Sequence, residues 1–597
     1  MPRQKLVRCK ASGVRRDVED LLVAKKKMRP APRQAKNPFV PPSGKPDPTP
    51  VLLAAERKPE EVRAILSAYG LMGIEQADRN LQAMAGDPYE RRQLAEILPL
   101  LLESIARTAD PDQALNHWER LLSNVTRSSF LDYLRSSPRM VDLLATIFGN
   151  SDSLAFTMIR DPTLVYWLAE EDVLSKPPTR TGLEQALRKQ VGHLTVKELK
   201  LEVLRRFRRR EMLRIGVRDL LRLADVPETT ASLSDLASIL IHAAYEIVNG
   251  DLRRQYGVPM HKNRQGRWVE TGFAVMGMGK LGGFELNYSS DVDLIYVYAS
   301  HEGETRPPRG KAAGKPAAAG ISNEEYFEIL SRELTKALAE PSREGYVFRV
   351  DLRLRAEGST GQLARSLDDY ARYYRMRGQV WERLALLKAW PVAGSTEVGK
   401  AFVRMVRPFV LASVRLKPKI GQYLEIVRDV RSVKERIDTK MADRGHEQRN
   451  VKLGTGGIRE IEFLVQTIQV LAGGKVPALL DRSTLGSLKR FAARKLISVT
   501  QRDALTAAYL FLRDVEHKLQ MVHELQTHAL PHEAEELERC AVRMGYGGDN
   551  RTAAVKRFQA AHATHTAVVH DLFRSFFETP TISPVFKAVL RTTNTRR

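Results

Sequence analysis

The chain has 597 residues and a formal net charge of +24, with 95 Lys and Arg against 71 Asp and Glu. Hydrophobic residues make up 43% and charged residues 28%, which excludes a collagen-like or wholly disordered chain and predicts several globular domains. The positive surplus indicates an anionic partner: nucleic acid, a nucleotide or an acidic protein. The two cysteines, Cys9 and Cys540, give no disulfide framework and no metal-ligand spacing, so we expect a reducing, cytoplasmic location.

Residues 1–50 are predicted to be a disordered tail. They hold nine of the 30 prolines and 13 Lys and Arg against 4 Asp and Glu, a composition that cannot bury enough apolar surface to fold. The tail is either solvated or an arm that touches an acidic partner. The longest apolar stretch, near 94–105, is interrupted by Glu96, Pro99 and Glu103, so we expect no membrane span.

The next 200 residues show the helical period. Apolar residues of 200–221 recur every three or four positions, as on one face of a helix. The basic run Arg205–Arg210 lies on this helix, either as a solvated face or as a surface for a nucleotide or an acidic protein. Thr230, Ser232 and Ser234 are predicted to cap a following helix that carries residues 236–248.

From Trp268 the pattern changes to short buried or alternating runs, which predict strands. Residues 301–321 are rich in Gly, Pro, Ala and Lys and predict a mobile loop, and a helix capped by Ser322 or Asn323 follows to about Leu338. From Leu367 the chain is again predicted to be helical, broken at Pro391. The predicted strands are 273–276, 292–298 and 346–355. Together these elements predict an α+β, mostly helical protein.

Paired carboxylates carry the strongest chemical signal. Asp291 and Asp293 are two residues apart at the start of a predicted strand, so their side chains point to the same face. Asp351, on a later predicted strand, supplies a third carboxylate. Hard oxygen ligands of this kind suit Mg²⁺, and two metals held between such groups stabilise attack and departure at phosphorus.

Arginines accompany the third carboxylate. Arg349, Asp351, Arg353 and Arg355 are predicted to share one strand face, where guanidinium groups would hold phosphate oxygens bidentately. The alternative is a surface ion-pair ladder. The run Gly277–Gly282 matches GxGxxG, but no long helix is predicted after it, so a phosphate-binding turn is favoured over a dinucleotide fold.

The order of a Gly-Lys turn, a paired Asp and a third Asp resembles the nucleotidyltransferase fold of the DNA polymerase β type. Longer blocks resemble the family of bifunctional glutamine synthetase adenylyltransferase/adenylyl-removing enzymes. One departure is Ala356, where that family usually has proline. The four blocks are 277–294, 349–358, 381–389 and 451–463.

Full-length members of that family carry two nucleotidyltransferase domains, one that removes AMP from a tyrosine of glutamine synthetase by phosphorolysis and one that adds AMP from ATP. A single Asp-Val-Asp signature is found here, and the Asn-Tyr-Ser-Ser motif before it (287–290) and the block 452–463 after it resemble the N-terminal half. The resemblance therefore implies the adenylyl-removing half. The implied organisation is a tail (1–50), a helical region (51–250), a nucleotidyltransferase domain with helical domains on both sides (251–395), a helical bundle resembling part of PII uridylyltransferase (396–580) and a second tail (581–597).

The resemblance implies a Mg²⁺-dependent enzyme that releases ADP. Its implied partners are glutamine synthetase, phosphate, ADP or ATP and a PII-like signal protein, while nucleic acid is disfavoured. The alternatives are AMP transfer from ATP to the same tyrosine, or a regulatory remnant that binds a PII-like partner. The implied catalytic and metal residues are Asp291, Asp293 and Asp351, and the implied nucleotide- or phosphate-binding residues are Gly279, Lys280, Ser290, Arg353 and Arg355.

Three other features have open interpretations. The block Lys452–Phe463 is either a structural helix start or a segment that contacts nucleotide or couples domains. Trp381 and Trp390 are predicted to be core anchors, with base stacking as the alternative. Lys388 is either a surface lysine or a phosphate contact.

Overall fold

The computed structural model describes residues 44–56, 58–307, 320–411, 420–442, 449–548, 550–578, 580 and 583–594. Most of the tail predicted over 1–50, and residues 308–319 of the predicted mobile loop, lie outside these ranges. The prediction of an α+β, mostly helical fold is confirmed.

The N-terminal region is a continuous series of packed helices. Asp87 caps α4 with a reciprocal capping box to Glu90, and Asp110 caps α5. The helices are α1 (Pro50–Leu53), α2 (Pro59–Ala68), α3 (Ile74–Ala85), α4 (Pro88–Ala106), α5 (Pro111–Leu122), α6 (Arg127–Ser136), α7 (Pro138–Phe148), α8 (Asp152–Arg160), α9 (Thr163–Ala169), α10 (Glu171–Ser175), α11 (Arg180–Val191), α12 (Lys197–Leu220) and α13 (Val226–Tyr256).

Helix α13 begins earlier than predicted and crosses the predicted domain boundary at residue 250. Its cap is Asp225, whose side chain accepts from the Glu228 amide, and proline in the first turn favours this start. The predicted caps Thr230, Ser232 and Ser234 are therefore wrong, because they lie inside the helix.

By length and composition α13 is also apolar enough to cross a membrane, contrary to our expectation. However, 67% of its apolar window is buried inside the protein. Most of this apolar window therefore packs inside the protein.

The basic run on α12 is not a solvated face. Arg205 and Arg208 are buried and form ion pairs with Glu202 and Glu524 respectively. Arg209 pairs with Glu344. Glu202 lies on α12 itself, but the pairs of Arg208 and Arg209, and a bond from Arg205 to the Glu340 carbonyl, join α12 to distant segments, because a buried guanidinium needs a carboxylate or carbonyl partner.

Two sheets follow α13. The larger has the strand order β6-β4-β3-β8 with β7 beside β4; β3 is antiparallel to β4 and β8, and β4 is parallel to β6 and β7. The smaller has the order β2-β1-β5. The strands are β1 (Val258–Lys262), β2 (Trp268–Glu270), β3 (Phe273–Gly277), β4 (Val292–Tyr298), β5 (Glu304–Arg306), β6 (Val350–Asp351), β7 (Ala364–Ser366) and β8 (Trp390–Gly394).

The larger sheet is buried on both faces. Phe273 and Val275 of β3 pack into the core shared with the N-terminal helices, while Ala274 and Met276 pack into a second core with Phe402. Both cores are thus anchored by alternate residues of one strand. The helices of this region are α14 (Gly279–Gly282), α15 (Asn323–Ala339), α16 (Leu367–Met376), α17 (Val380–Leu386) and α18 (Thr396–Val410).

Several predictions for this region need correction. The strand predicted over 346–355 is only two residues long, so Arg353 and Arg355 do not share a strand face with Asp351. The predicted loop 301–321 contains β5. Pro391 does not simply break a helix, because it lies in β8, where it pairs with Met276 at a register shift.

A helical bundle with its own core forms the C-terminal region. The segment predicted to be a C-terminal tail contains the last helix of this bundle. That helix packs into the bundle core through Phe586 and Val589, which are fully buried. A π-helical turn (Val542–Tyr546) separates α23 from α24. The helices are α19 (Ile420–Ala442), α20 (Ile458–Ala472), α21 (Thr484–Ala493), α22 (Val499–His523), α23 (Ala534–Ala541), α24 (Arg551–Phe577) and α25 (Pro584–Asn594).

A buried ion pair ties the bundle to the N-terminal helices. Lys518 on α22, 2% exposed, lies 2.9 Å from Asp219 on α12. Lys518→Met should lower the free energy of unfolding by about 3–5 kcal/mol, because it strands a buried carboxylate. The measurement is the urea midpoint, with hydrogen exchange of α22 as a local readout. The control Arg431→Met removes a solvent-exposed pair with Glu435 and should cost less than about 1 kcal/mol. Equal losses in the two variants would contradict the prediction.

Candidate active site

The Gly-Lys turn between β3 and β4 is shaped by a glycine that no other residue can replace without strain. Gly279 has φ +51°, and a Cβ built there would lie 2.3 Å from Oδ2 of Asp293. The Met278 amide donates to the Asp293 carbonyl at 2.8 Å, which holds the turn against the start of β4. The turn therefore approaches the carboxylate closely because it has no side chain.

The sheet brings the three predicted carboxylates together. Asp293 of β4 is the direct register partner of Asp351 of β6, and Asp291 lies two residues before Asp293. Arg349 Nε donates to Asp291 at 2.8 Å, and Arg353 holds Asp351 through its guanidinium and its backbone amide. Two of the three carboxylates, Asp291 and Asp351, therefore form the predicted ion pairs with neighbouring arginines.

Within the described part of the chain, no arginine forms an ion pair with Asp293. Burial, followed by the charge of Asp351, raises the pKa of Asp293 to about 6, and Lys452 opposes the rise. Burial also tends to raise the pKa of Asp351, but the hydrogen bonds from Arg353 outweigh it and lower that pKa. Of these two carboxylates, Asp293 is therefore the one whose charged form is disfavoured in the folded protein.

The donor chemistry fits a hard divalent cation, since three carboxylates interact around Asp293. Among the described residues no group of three His, Cys, Asp or Glu side chains is already arranged as a metal centre. The pairs with Arg349 and Arg353 account for this, because each turns a carboxylate toward a guanidinium. A cation held by all three would require those pairs to loosen.

Lys280 is positioned by the C-terminal bundle rather than by its own domain. Its Nζ donates to Oε1 of Glu516 on α22 at 2.7 Å, and His528 Nδ1 lies 3.0 Å from the same oxygen. Burial lowers the pKa of Lys280 to about 7 against the opposing effect of Glu516. The Glu516 pKa is held well below its usual value despite burial, by Lys280 and its neighbours, so we take the pair as ionised.

The motif between the turn and the Asp pair faces α22. Arg513, fully buried, donates to the Glu285 carbonyl at 2.6 Å and to the Asn287 side chain. Ser289 donates its hydroxyl to the Glu524 carbonyl at 2.6 Å. Residues 285–289 therefore anchor the loop, and Ser290 at its end lines the cavity beside Asp291.

Other predicted residues have structural contacts. Arg355 does not line the cavity; its buried guanidinium donates to the carbonyls of Leu352, Ser359 and Gly361. Lys388 is neither a surface lysine nor free for phosphate, because it pairs with Glu285 at 3.0 Å and with Glu462 at 3.2 Å.

The tryptophans differ from each other. Trp390 is 48% exposed and stacks under Arg482, so it is not a core anchor. Trp381 is half-buried and lines the cavity.

The cavity has a volume of about 600 Å³ and lies between the larger sheet and the bundle. Sequence reasoning missed Gln466, Gln526 and His528 on its wall. Its lining includes Gly279, Lys280, Ser290, Asp291, Asp293, Asp351, Arg353, Trp381, Lys452, Arg459, Phe463, Gln466, Gln526 and His528.

The block 452–463 contains the predicted helix start, while its contact with nucleotide stays a prediction. Lys452 and Arg459 line the cavity, while Gly457 begins α20, whose Ile458 and Ile461 are buried in the bundle core. Gly456 has φ +70° and lies against the Thr566 carbonyl of α24. The block thus starts a helix and delivers two cations to the site.

Comparison with known proteins identifies two segments of the chain that match family models. Residues 141–405, which include every predicted site residue, match the family model of glutamate-ammonia ligase adenylyltransferase. The chain therefore contains a domain of this family. Residues 430–577 match the model of GlnD PII-uridylyltransferase, so the helical bundle also has a family counterpart.

Curated relatives of the family are similar over most of this chain. Bifunctional glutamine synthetase adenylyltransferase/adenylyl-removing enzymes from Nitrosococcus oceani and Mesorhizobium japonicum are 36% identical over 439 residues and 38% identical over 414 residues. These alignments cover 73% and 68% of this chain but only 42% and 39% of the relatives. The chain therefore spans less than half the length of the relatives it matches.

The charge on Asp293 predicts a pH-dependent gain in stability on its removal. The folded state retains the Asp293 proton up to about pH 6, whereas the unfolded chain loses it near pH 4, so stability falls as pH rises between these values and stays lower above them. In metal-free buffer at pH 8, Asp293→Asn should be more stable by about 1–3 kcal/mol. The gap should shrink at pH 5. Thermal melting at the two pH values tests this, and a gap that does not change with pH would contradict it.

Proposed function

We propose that this chain removes AMP from an adenylylated tyrosine of glutamine synthetase by phosphorolysis, yielding ADP. The observation that carries the proposal is one cavity that gathers Asp291, Asp293 and Asp351 with the turn Gly279–Lys280. Family membership and the printed names of the relatives support glutamine synthetase as the protein substrate. The resemblance of the Asn-Tyr-Ser-Ser motif to the N-terminal half favours removal over addition.

In the proposed reaction an oxygen of HPO₄²⁻ attacks the adenylyl phosphorus, the bond from phosphorus to the tyrosine oxygen breaks, and the phosphate proton ends on that oxygen. Lys452 and Arg459 orient the incoming phosphate, and Lys280, fixed by Glu516, contacts it from the turn. Trp381 and Phe463 offer apolar surface for the adenine. A volume of about 600 Å³ is suited to one nucleotide.

We propose Mg²⁺ as the cofactor, held by Asp291, Asp293 and Asp351. Bound there, it would neutralise charge on the phosphoryl oxygens. Asp291 and Asp351 would exchange their arginine partners for the cation, which leaves Arg353, 77% exposed, available to phosphate.

The reaction is tested by incubating adenylylated glutamine synthetase with phosphate, Mg²⁺ and the protein. We expect ADP release that stops with a chelator and falls at least about 100-fold in Asp291→Asn with Asp293→Asn, because both remove charge from the metal site. The matched control, Asp503→Asn, changes an exposed carboxylate on α22 and should leave the rate unchanged. Undiminished release by the double variant would refute the assignment.

The same assay separates the alternatives. AMP transfer would be indicated if label from ATP became attached to unmodified glutamine synthetase while the adenylylated form released no ADP. Neither reaction, together with binding of a PII-like protein, would indicate a regulatory role; the match of the bundle to a PII-uridylyltransferase model supports this second candidate.

The Lys280 contact makes a separate kinetic prediction. Lys280→Met removes one phosphate contact while the carboxylates remain, so KM for phosphate should rise about tenfold with a smaller change in kcat. The control Lys489→Met changes an exposed lysine on α21. Initial rates over a phosphate series test this, and a fall in kcat alone would show that Lys280 does not hold phosphate.

A further inference from the structure

A second, smaller cavity lies far along the chain from the carboxylates, where three parts of the protein meet. It has a volume of about 190 Å³. Its walls come from the end of α4 and from α7, from the end of α12 and from the π-helical turn at 542–546. The lining residues are Ser104, Arg107, Thr108, Asp142, Thr146, Asn150, Leu220, Arg222, Val542, Arg543 and Gly545.

Arg543 is the unusual member of this lining. It is only 8% exposed, and burial lowers its pKa. Among the described residues its guanidinium has no hydrogen bond or ion pair, and its Nε is fully enclosed. A buried cation without a partner costs several kcal/mol, so a compensating anion would be strongly favoured there.

Two further arginines face the same space. Arg222 Nη2 donates to the Arg543 carbonyl at 3.3 Å, and its other contact, to Asp514, is long at 3.9 Å. Arg107 is held at the rim by Asp142 at 2.7 Å. Among the described residues that line the cavity, Asp142 is the one carboxylate beside three arginines, while Asp110 and Glu536 act on Arg543 from outside the lining.

The backbone makes room for this arrangement. Gly545 has φ +84° inside the π-helical turn, and a Cβ there would lie 2.6 Å from Nη2 of Arg222. Arg222 itself has φ +55°, an uncommon conformation for a residue with a side chain. Both irregularities bring Arg222 toward Arg543, and π-helical turns often occur at functional sites.

We propose that this cavity binds a small oxyanion, with Arg543 and Arg222 as its principal ligands. The space suits a single phosphate-sized or dicarboxylate ion rather than a nucleotide. Its occupant would join the N-terminal helices to the bundle, alongside the neighbouring bonds from Arg551 to the carbonyls of Thr108 and Ala109. Inorganic phosphate and a dicarboxylate such as malonate share this chemistry, and they are compared in the test.

The direct test locates selenate by its anomalous scattering in crystals of the full chain. We expect a peak between Arg543 and Arg222 that is absent in Arg543→Met. No peak there in the wild-type protein, or peaks only at the catalytic cavity or the outer surface, would overturn the proposal. Competition of that peak by phosphate or by malonate decides which anion is preferred.

Thermal melting at constant ionic strength supplies a second readout. Phosphate or malonate should raise the wild-type melting temperature by about 2–4 °C, and Arg543→Met should lose the part of that rise due to this site. Without added anion Arg543→Met should melt no lower than the wild type, because it replaces an unpaired buried charge by an apolar side chain. A variant that melts lower in every buffer, beside a wild type that does not respond, would show a purely structural Arg543.

Arg222→Gln keeps the proposal testable if Arg543→Met fails to fold. Arg222 is 52% exposed, so its loss should not unfold the chain. Calorimetry should show that Arg222→Gln binds phosphate or malonate about tenfold more weakly at this cavity, as expected for the loss of one charge-assisted contact. The exposed control Arg431→Gln should bind as the wild type does, and unchanged affinity in Arg222→Gln would overturn the proposal.

Discussion

The buried guanidinium of Arg513 is the constraint on which the catalytic region depends. It is fully enclosed, and its partners are the Glu285 carbonyl, the Asn287 side chain, the Tyr509 hydroxyl and Glu516. A buried charge of this kind tolerates the loss of none of its partners without a large cost. The loop before the Asp pair is therefore fixed to α22, and the position of Asp291 and Asp293 follows from that attachment.

The cavity is lined by residues from both of the segments that match family models. The segment that matches the adenylyltransferase model supplies the carboxylates and the turn, while the segment that matches the PII-uridylyltransferase model supplies Lys452, Glu516 and His528. Glu516 fixes Lys280 from across this junction. The position of the lysine of the turn therefore depends on a contact with the bundle as well as on its own domain.

Local patterns predicted what depends on local sequence. Strands β3 and β4 and the helix capped by Ser322 follow from period and capping, and the structure contains them. Asp291 precedes β4 rather than lying in it, but it lines the same cavity as Asp293. The pairing of Lys280 with Glu516 joins residues 236 positions apart, and no spacing rule reaches that far. The strand predicted over 346–355 is too long for a related reason. Its alternating charged residues predict one continuous strand face, but the Arg355 guanidinium donates to the Gly361 carbonyl in the loop that follows. Pro391 enters β8 at a register irregularity, which sequence alone does not reveal.

The sequence left two interpretations of the arginines beside the carboxylates, phosphate binding and an ion-pair ladder, and these need not exclude each other. As the structure stands, Arg349 and Arg353 compensate Asp291 and Asp351, and this is an ion-pair ladder. Asp293 has no ion pair among the described residues, and burial raises its pKa to about 6 although Lys452 and Arg459 oppose the rise, so a cation beside it would stabilise its charged form. Binding a divalent cation would weaken the hold of both carboxylates on their arginines, and the freed Arg353 would face phosphate oxygens. In the proposed reaction Arg353 would therefore pair with Asp351 before the cation binds and with phosphate afterwards, so one side chain would serve both interpretations.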